Sequence, residues 1–333
     1  MPELRRDPIV DRWVIISSVR KKRPFPKMIC TEEFKDSKAC PFCPGNEMYA
    51  PNEIYAISSI PREKDTPGWD VRVIPNKYPA LKVEGELNKR GIGIYDLMNG
   101  IGAHEVIIET PEHNLNISDM TSHHVKKILT AYKERILDLK QDIRFKYILI
   151  FKNYGFEAGA TLAHSHSQLI ALPIIPKTVK EEINGAKKYF DFRERCIYCD
   201  IISQELYSQL RVIIEEKNFI AISPFAPRFS FETWILPKKH QSHFYNISDD
   251  EMESLADVLI NIFKKLNMAL DNPPYNFIIH TSDLVNGNLD HYHWHIEIIP
   301  KLSHAAGFEW GTGFFINPTP PEEAVNFLKN LTV

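Results

Sequence analysis

The sequence predicts an α+β fold in which one unit is used twice, with antiparallel sheets and helices packed on them. Three observations carry this expectation. Two Cys-x-x-Cys pairs, Cys40/Cys43 and Cys196/Cys199, each precede a run of strand-like segments. Each run holds a glutamate eight residues before a corner histidine, Glu105 before His113 and Glu232 before His240. Each then passes through a helix and a strand to a His-x-His segment, with 51 residues from His113 to His164 and 53 from His240 to His293. A long-period repeat of this kind points to duplication. The units are placed at residues 1–185 and 186–333.

The elements follow in order. Residues 10–19 hold the β-rich core Trp13-Val14-Ile15-Ile16, and Arg20-Lys21-Lys22-Arg23-Pro24 follows as a basic loop. Residues 30–70, rich in proline and polar side chains, read as loop around Cys40-Pro41-Phe42-Cys43-Pro44-Gly45. Strands are expected at 70–75 and 105–109, the second stopped by Pro111. Ser118 is the expected N-cap of a helix over 120–139, with Ile128, Leu129, Ile136 and Leu139 as its apolar stripe. A strand at 147–151, a turn at 153–159 and a strand at 162–172 carrying His164 and His166 complete the first unit. In the second, strands are expected at 210–215, 219–223 and 232–236. The capping box Ser248-Asp249-Asp250-Glu251 starts a helix to residue 270. Strands at 276–280 and 293–299, a Gly/Pro-punctuated tail and a last helix at 322–331 close the chain.

Composition narrows the function. With 333 residues, a sizeable core is available. Lys+Arg of 40 against Asp+Glu of 43 gives a net charge of −3, with no basic excess for non-specific nucleic-acid binding. No run approaches the ~18 apolar residues of a membrane span. Met1-Pro2-Glu3-Leu4-Arg5-Arg6-Asp7-Pro8 lacks an apolar signal region, so the expected location is the cytoplasm. Five cysteines, four of them in two Cys-x-x-Cys pairs, then read as metal-binding or redox groups, not disulfides.

Zinc takes four N or S donors in a tetrahedron. The repeat register supplies Cys40, Cys43, His113 and His164 for one ion and Cys196, Cys199, His240 and His293 for a second. Two structural zinc ions per chain are therefore expected. Cys30 fits neither set. A redox dithiol usually opens a helix, whereas Pro41 and Pro44 place the first pair in a loop.

His164-Ser165-His166-Ser167-Gln168 is the most specific feature. On a strand, His164, His166 and Gln168 share one face. One histidine can then hold a metal while the next faces a substrate. Upstream, Asn153-Tyr154-Gly155-Phe156-Glu157-Ala158-Gly159-Ala160-Thr161 offers small residues whose backbone can approach a phosphate.

This motif resembles the active-site signature of the histidine-triad superfamily, whose transferase branch carries the Gln where its hydrolase branch has a third His. With the Cys pairs, the corner histidines and the duplication, the chain resembles the galactose-1-phosphate uridylyltransferase family. The likeness runs from Arg5-Arg6-Asp7-Pro8 to Gly311-Thr312-Gly313-Phe314-Phe315-Ile316-Asn317-Pro318. The resemblance implies duplicated histidine-triad-like units and transfer of UMP from UDP-glucose to galactose-1-phosphate by double displacement. By position, His166 is the nucleophile, His164 a zinc ligand, and Gln168 the holder of the phosphoryl group. Asn153, Gly159 and Thr161 fall at the phosphates, Arg20 and Arg23 in the N-terminal basic loop, and Asn76 at the nucleoside. Nucleotide-sugar and hexose-1-phosphate substrates and a homodimer are implied too, as is an iron-type cluster of His280, His293 and His295 with a Glu in some members.

Ser165 replaces the family's usual Pro and Ser167 a frequent Gly. The His-Ser-His-Ser-Gln form resembles the branch that includes plant ADP-glucose phosphorylase, which leaves the base and the acceptor open. Two competing readings fare worse. A nucleoside phosphoramidate hydrolase would carry His at Gln168. A zinc-stabilised nucleic-acid module conflicts with a pI of about 6.5 and with spans of more than 40 residues between ligands.

Overall fold

The computed structural model describes residues 3–16 and 40–332. Arg20, Arg23 and Cys30 lie outside the described residues. The chain opens with the hairpin β1 (Glu3–Arg6) and β2 (Trp13–Ile16). β3 (Tyr55–Ile57) pairs with β4 (Val71–Pro75), and β5 (Arg90–Ile92) with β6 (Tyr95–Leu97) in a separate ribbon. β7 (Ala103–Ile108), α1 (Ser122–Leu139), β8 (Tyr147–Tyr154) and β9 (His166–Leu172) complete the first set. α2 (Lys177–Arg193) and α3 (Ile197–Ser208) lead to β10 (Val212–Glu215), β11 (Phe219–Ile222) and β12 (Thr233–Pro237). α4 (Asp249–Leu270), β13 (Tyr275–His280) and β14 (His295–Pro300) follow. α5 (Gly307–Thr312), β15 (Phe315–Asn317) and α6 (Pro321–Lys329) end the chain.

Among the described residues, ten strands form one antiparallel sheet in the order β10-β11-β12-β14-β13-β8-β9-β7-β4-β3. From the β8/β13 seam outward, the order is β8, β9, β7, β4, β3 on one side and β13, β14, β12, β11, β10 on the other. Each strand of the first set therefore stands opposite its counterpart in the second, as duplication requires. The seam is backbone pairing from Tyr154↔Tyr275 to Ile150↔Ile279, closed by stacked Tyr154 and Tyr275 rings.

Alternation along the strands sorts side chains between two faces. Leu169 and Ala171 of β9, Ile148 and Ile150 of β8, and Ile296 and Ile298 of β14 pack under α1 and α4 in the largest core. On the other face, α2 and α3 cover Ile220, Ile222, Trp234 and Leu236, while the Cys40–Cys43 loop covers Val106 and Ile108. No helix among the described residues is long and apolar enough to cross a membrane.

Several expectations shift. The cap of α1 is Thr121, not Ser118, whose buried hydroxyl instead accepts from Asn267 Nδ2 at 3.1 Å. β9 begins at His166, so His164 lies in the bend before it, where its ring turns to the cysteine pair. Asn153 belongs to β8, not to the following turn. α2 was not anticipated: its buried stripe is only Val179, Ile183 and Ala186 on an otherwise polar helix. The expected unit boundary between residues 185 and 186 falls inside it. Gly185 is required there, because a Cβ would lie 1.8 Å from the Ile9 carbonyl oxygen. Cys196 caps α3, so the second cysteine pair opens a helix while the first sits in a turn. The tail holds α5 and also β15, which pairs parallel with β2 and brings the two ends of the chain together.

Buried ion pairs sit beneath α1, among them Glu105 with Arg135 at 2.7 Å. Lys152 and Glu109, 1% and 0% exposed, pair at 2.5 Å beneath α1. Removing one partner of a buried pair leaves the other charge uncompensated. Lys152→Met is therefore expected to cost about 3–5 kcal/mol in urea unfolding. The double variant with Glu109→Gln should recover much of that loss.

Candidate nucleotidyl-transfer site

Cys40 and Cys43 occupy a turn closed by the Cys43 N–H to Cys40 carbonyl bond. His113 arrives from the corner after β7 and His164 from the bend before β9. Cys43 Sγ lies 3.3 Å from His113 Nδ1 and 3.5 Å from His164 Nδ1, and Cys40 Sγ lies 3.6 Å from His164 Nδ1. A tetrahedral zinc with its usual bond lengths separates S and N donors by about 3.5 Å, so the set fits the ion. His164 Nε2–H donates to the Thr110 carbonyl at 2.7 Å, which leaves Nδ1 its lone pair. Burial, followed by His113 and His166, pushes His164 down to about 4, so the ring is a neutral donor. Burial and the neighbouring Cys40 push the Cys43 thiol up to about 12.

The second set repeats this design. Cys199 Sγ lies 3.5 Å from His240 Nδ1 and 3.7 Å from His293 Nδ1. His293 Nε2–H donates to the Pro237 carbonyl at 2.8 Å and His240 Nε2–H to the Leu289 carbonyl at 3.2 Å. Both sets have donor atoms within 4.8 Å of one another and could hold metal ions.

The residues of the iron-type grouping seen in some members of the family are divided here. His293 joins the cysteines, while Glu182, His280 and His295 form a third cluster. His280 Nδ1 lies 3.2 Å from Glu182 and Nε2 lies 3.3 Å from Glu297. Burial opposes its charge, but the two carboxylates outweigh it and hold His280 up to about 10. In that state both ring nitrogens donate and neither offers a lone pair. Arg228 pairs with Glu297 from the other side.

β9 carries the central arrangement. His166 Nδ1–H donates to the His164 carbonyl at 2.8 Å, which puts the free lone pair on Nε2. Phe42 meets the ring edge-on at a centroid distance of 5.3 Å. Burial holds His166 below the ordinary histidine range. On the opposite face, Ser165 donates to Glu109 Oε2 at 2.6 Å, and Ser167 also donates to Glu109. Lys152 Nζ donates to Ser165 at 2.7 Å, and Tyr132 donates to Glu109 Oε1 at 2.9 Å. Burial opposes the Glu109 charge, but Lys152 and the serine hydroxyls hold its carboxyl below the usual range.

His164 and His166 border a cavity of about 270 Å³ with Asn153, Tyr154, Gly155 and Phe156 on its other side. Asn153 Oδ1 accepts from Asn276 Nδ2 at 2.8 Å, so its own NH₂ is free for the cavity side. Gly159 has φ of 91° and sits against that NH₂, where a Cβ would lie 3.5 Å from Nδ2. Thr161 is exposed in the following bend. Gly159, Thr161, Gln168 and Asn76 do not line the cavity; Gln168 and Asn76 meet beside it around His104.

Comparison with known proteins decides the family. The model of the galactose-1-phosphate uridyl transferase N-terminal domain matches residues 1–176. The chain belongs to the galactose-1-phosphate uridylyltransferase family. Within it, the chain is 38% identical to ADP-glucose phosphorylase of Arabidopsis thaliana, over 100% of this chain and 93% of that protein. It is 32% identical to galactose-1-phosphate uridylyltransferase of Thermotoga maritima, over 100% and 99%. The crystal structure of the Arabidopsis thaliana ADP-glucose phosphorylase with bound ADP-glucose superposes with a TM-score of 0.86, covering both chains fully. A second model, for a domain of unknown function (DUF4921), matches residues 102–331.

Glu109, Lys152, His104 and Asn276 escaped the sequence reading. Lys152 had a signal: a lysine at a core-facing position of the apolar strand Tyr147–Tyr154 needs a buried partner. His104 and Asn276 had none, because their partners are distant in sequence. If both cysteine sets hold metal, elemental analysis of purified protein should find two ions per chain. Cys43→Ser should then keep one ion and melt at a lower temperature, while Cys199→Ser should lose the other.

Proposed function

We propose that the chain moves the nucleoside monophosphate of a nucleoside-diphosphate hexose through His166, with ADP-glucose as donor and inorganic phosphate as acceptor. The observation that carries the reading is the His166 tautomer, with Nδ1–H on the His164 carbonyl and the lone pair on Nε2. A neutral imidazole is a good nucleophile near pH 7 and forms a labile phosphoramidate. In the first step Nε2 attacks the α-phosphorus, the bond to the bridging oxygen breaks, and glucose-1-phosphate leaves. The His164 carbonyl supports the positive charge that develops on the ring. In the second step a phosphate oxygen attacks the same phosphorus, the P–N bond breaks, and ADP is released. The leaving group is a weak base, so positioning and charge neutralisation suffice. Asn153, Gly159, Thr161 and Gln168 are assigned to the phosphates, Asn76 to the nucleoside, and Arg20 and Arg23 to added positive charge.

Both cysteine sets are assigned to zinc. With four protein ligands and no open position, zinc supplies structural order and not Lewis acidity. His164 then fixes the backbone that holds the His166 ring.

The choice of donor rests on the 38% identity to ADP-glucose phosphorylase along the full length and on Ser165 and Ser167 of the motif. A second reading, UDP-glucose with galactose-1-phosphate, draws support from the matching N-terminal family model and the Thermotoga maritima relative. Incubation with each donor labelled in its α-phosphate separates them. The first reading expects sugar-1-phosphate release and label on His166 from ADP-glucose, absent in His166→Ala. Label from UDP-glucose alone would establish the second, and label from neither would defeat both.

The pH dependence follows from burial of His166. Its pKa lies below the ordinary 6.5, and the neutral form is the nucleophile. The rate of the first step should therefore stay level from pH 8 down through about 6.5 and fall only below it. Stopped-flow single turnovers across this range provide the check.

A further inference from the structure

His104 lies outside every role assigned so far, yet its ring is held by two fixed contacts. The backbone N–H of Ala80 donates to His104 Nδ1 at 3.1 Å. A backbone N–H cannot reverse its polarity, so Nδ1 must carry the lone pair and Nε2 the proton. Two side chains reach Nε2. Asn76 presents Nδ2 at 3.1 Å, because its Oδ1 accepts from the Tyr78 N–H at 2.9 Å. A nitrogen donor cannot accept the His104 proton. Gln168 Oε1, at 2.8 Å, can. The chain of contacts therefore begins at a backbone amide and ends by fixing which end of the Gln168 amide faces His104.

We infer that His104 is a positioning residue for nucleotidyl transfer: it locks the Gln168 amide with its oxygen turned away and its NH₂ left to donate to a phosphoryl oxygen. The inference rests on the reading of His166 as nucleophile. Gln168 stands two residues along β9 from His166, on the same face of the sheet. A reversed amide would present its carbonyl oxygen to the phosphate, lone pair against lone pair. Charge developing on a phosphoryl oxygen is stabilised best by donors already oriented before the reaction. His104 supplies that orientation from β7, and Ala80 supplies it to His104.

The test is a double-mutant cycle on the full chain, read as the single-turnover rate of label transfer to His166 at saturating donor. His104→Ala should slow transfer by about 10- to 100-fold, with donor affinity changed far less. His104→Gln keeps a side-chain N–H donor and should recover part of the rate. In a Gln168→Ala background, His104→Ala should change the rate by no more than about twofold, because the amide it orients is gone. A residue that only supports the fold, or one that touches substrate itself, would cost the same in both backgrounds, and that result would overturn the inference. So would an unchanged rate in His104→Ala. Should His104→Ala fail to fold, His104→Phe, similar in size and lacking a donor, replaces it in the cycle. Wild-type enzyme that takes no label from ADP-glucose or UDP-glucose would defeat the parent reading, and the role of His104 with it. Normal wild-type labelling with additive variants would defeat the role of His104 alone.

Discussion

The alternation of a single strand organises this protein. β9 and the residue before it present His166 and Gln168 to one face of the sheet and Ser165 and Ser167 to the other. Apolar packing alone would hold such a strand, but polar side chains within a core need partners. Glu109 provides them: it accepts from Ser165, Ser167 and Tyr132 and pairs with Lys152. The hydroxyls of the motif thus tie strand, sheet and α1 together directly behind the His166 ring. A buried ion pair is weak support for stability on balance. Its value here is geometric, because each hydroxyl fixes the depth and rotation of β9. Proline and glycine at positions 165 and 167 would supply neither bond, so this form of the motif depends on Glu109 and Lys152.

From the opposite face, the first cysteine set fixes the same strand at its start. His164 contributes Nδ1 to the sulfurs and Nε2–H to the Thr110 carbonyl, and its own carbonyl receives the His166 Nδ1–H. Three successive side chains, His164, Ser165 and His166, are therefore each tied to a different partner. The His166 ring inherits its tautomer from backbone placed by its neighbours. In the proposed reaction, preorganisation of this kind would lower the reorganisation required for attack on phosphorus.

The fold was legible in the sequence where periodicity and punctuation acted together. The capping box at Ser248 and the strands at Val71–Pro75 and Tyr275–His280 were readable from local pattern. The two metal-ligand sets were readable because duplication put equivalent ligands at equivalent spacings. What local pattern could not supply was pairing over distance. α2 buries three side chains and hides its periodicity beneath charge. Ser118 has the chemistry of a cap but found a partner in Asn267, and Thr121 took the cap. Of the candidate site, the motif and the two sets of cysteines and histidines that could hold metal ions were visible. His104, Glu109 and Lys152, in contact with the motif, and Asn276, in contact with Asn153, are brought there only by the fold. The expected basic residues Arg20 and Arg23 lie outside the described residues.

Duplication also shows how little separates a site for an anion from one that repels it. His295 repeats the His166 arrangement, donating Nδ1–H to the His293 carbonyl at 3.1 Å. The residue two further along is Glu297 where the first unit has Gln168. An amide can turn a donor toward phosphate; a carboxylate cannot. Burial opposes the Glu297 charge, but Arg228 and His280 hold the carboxyl well below its usual range. The pocket in front of His295, about 50 Å³ in volume, is lined by Asp7, Glu181, Glu182 and Glu297 against Arg12, Arg228 and His280; Arg12 pairs with Asp7, Arg228 with Glu297, and His280 with Glu182 and Glu297. The cationic side chains that would attract a phosphate are already neutralised by carboxylates of the protein. Where the first strand carries the amide of Gln168, the repeated strand carries the carboxylate of Glu297, and its polar groups satisfy each other.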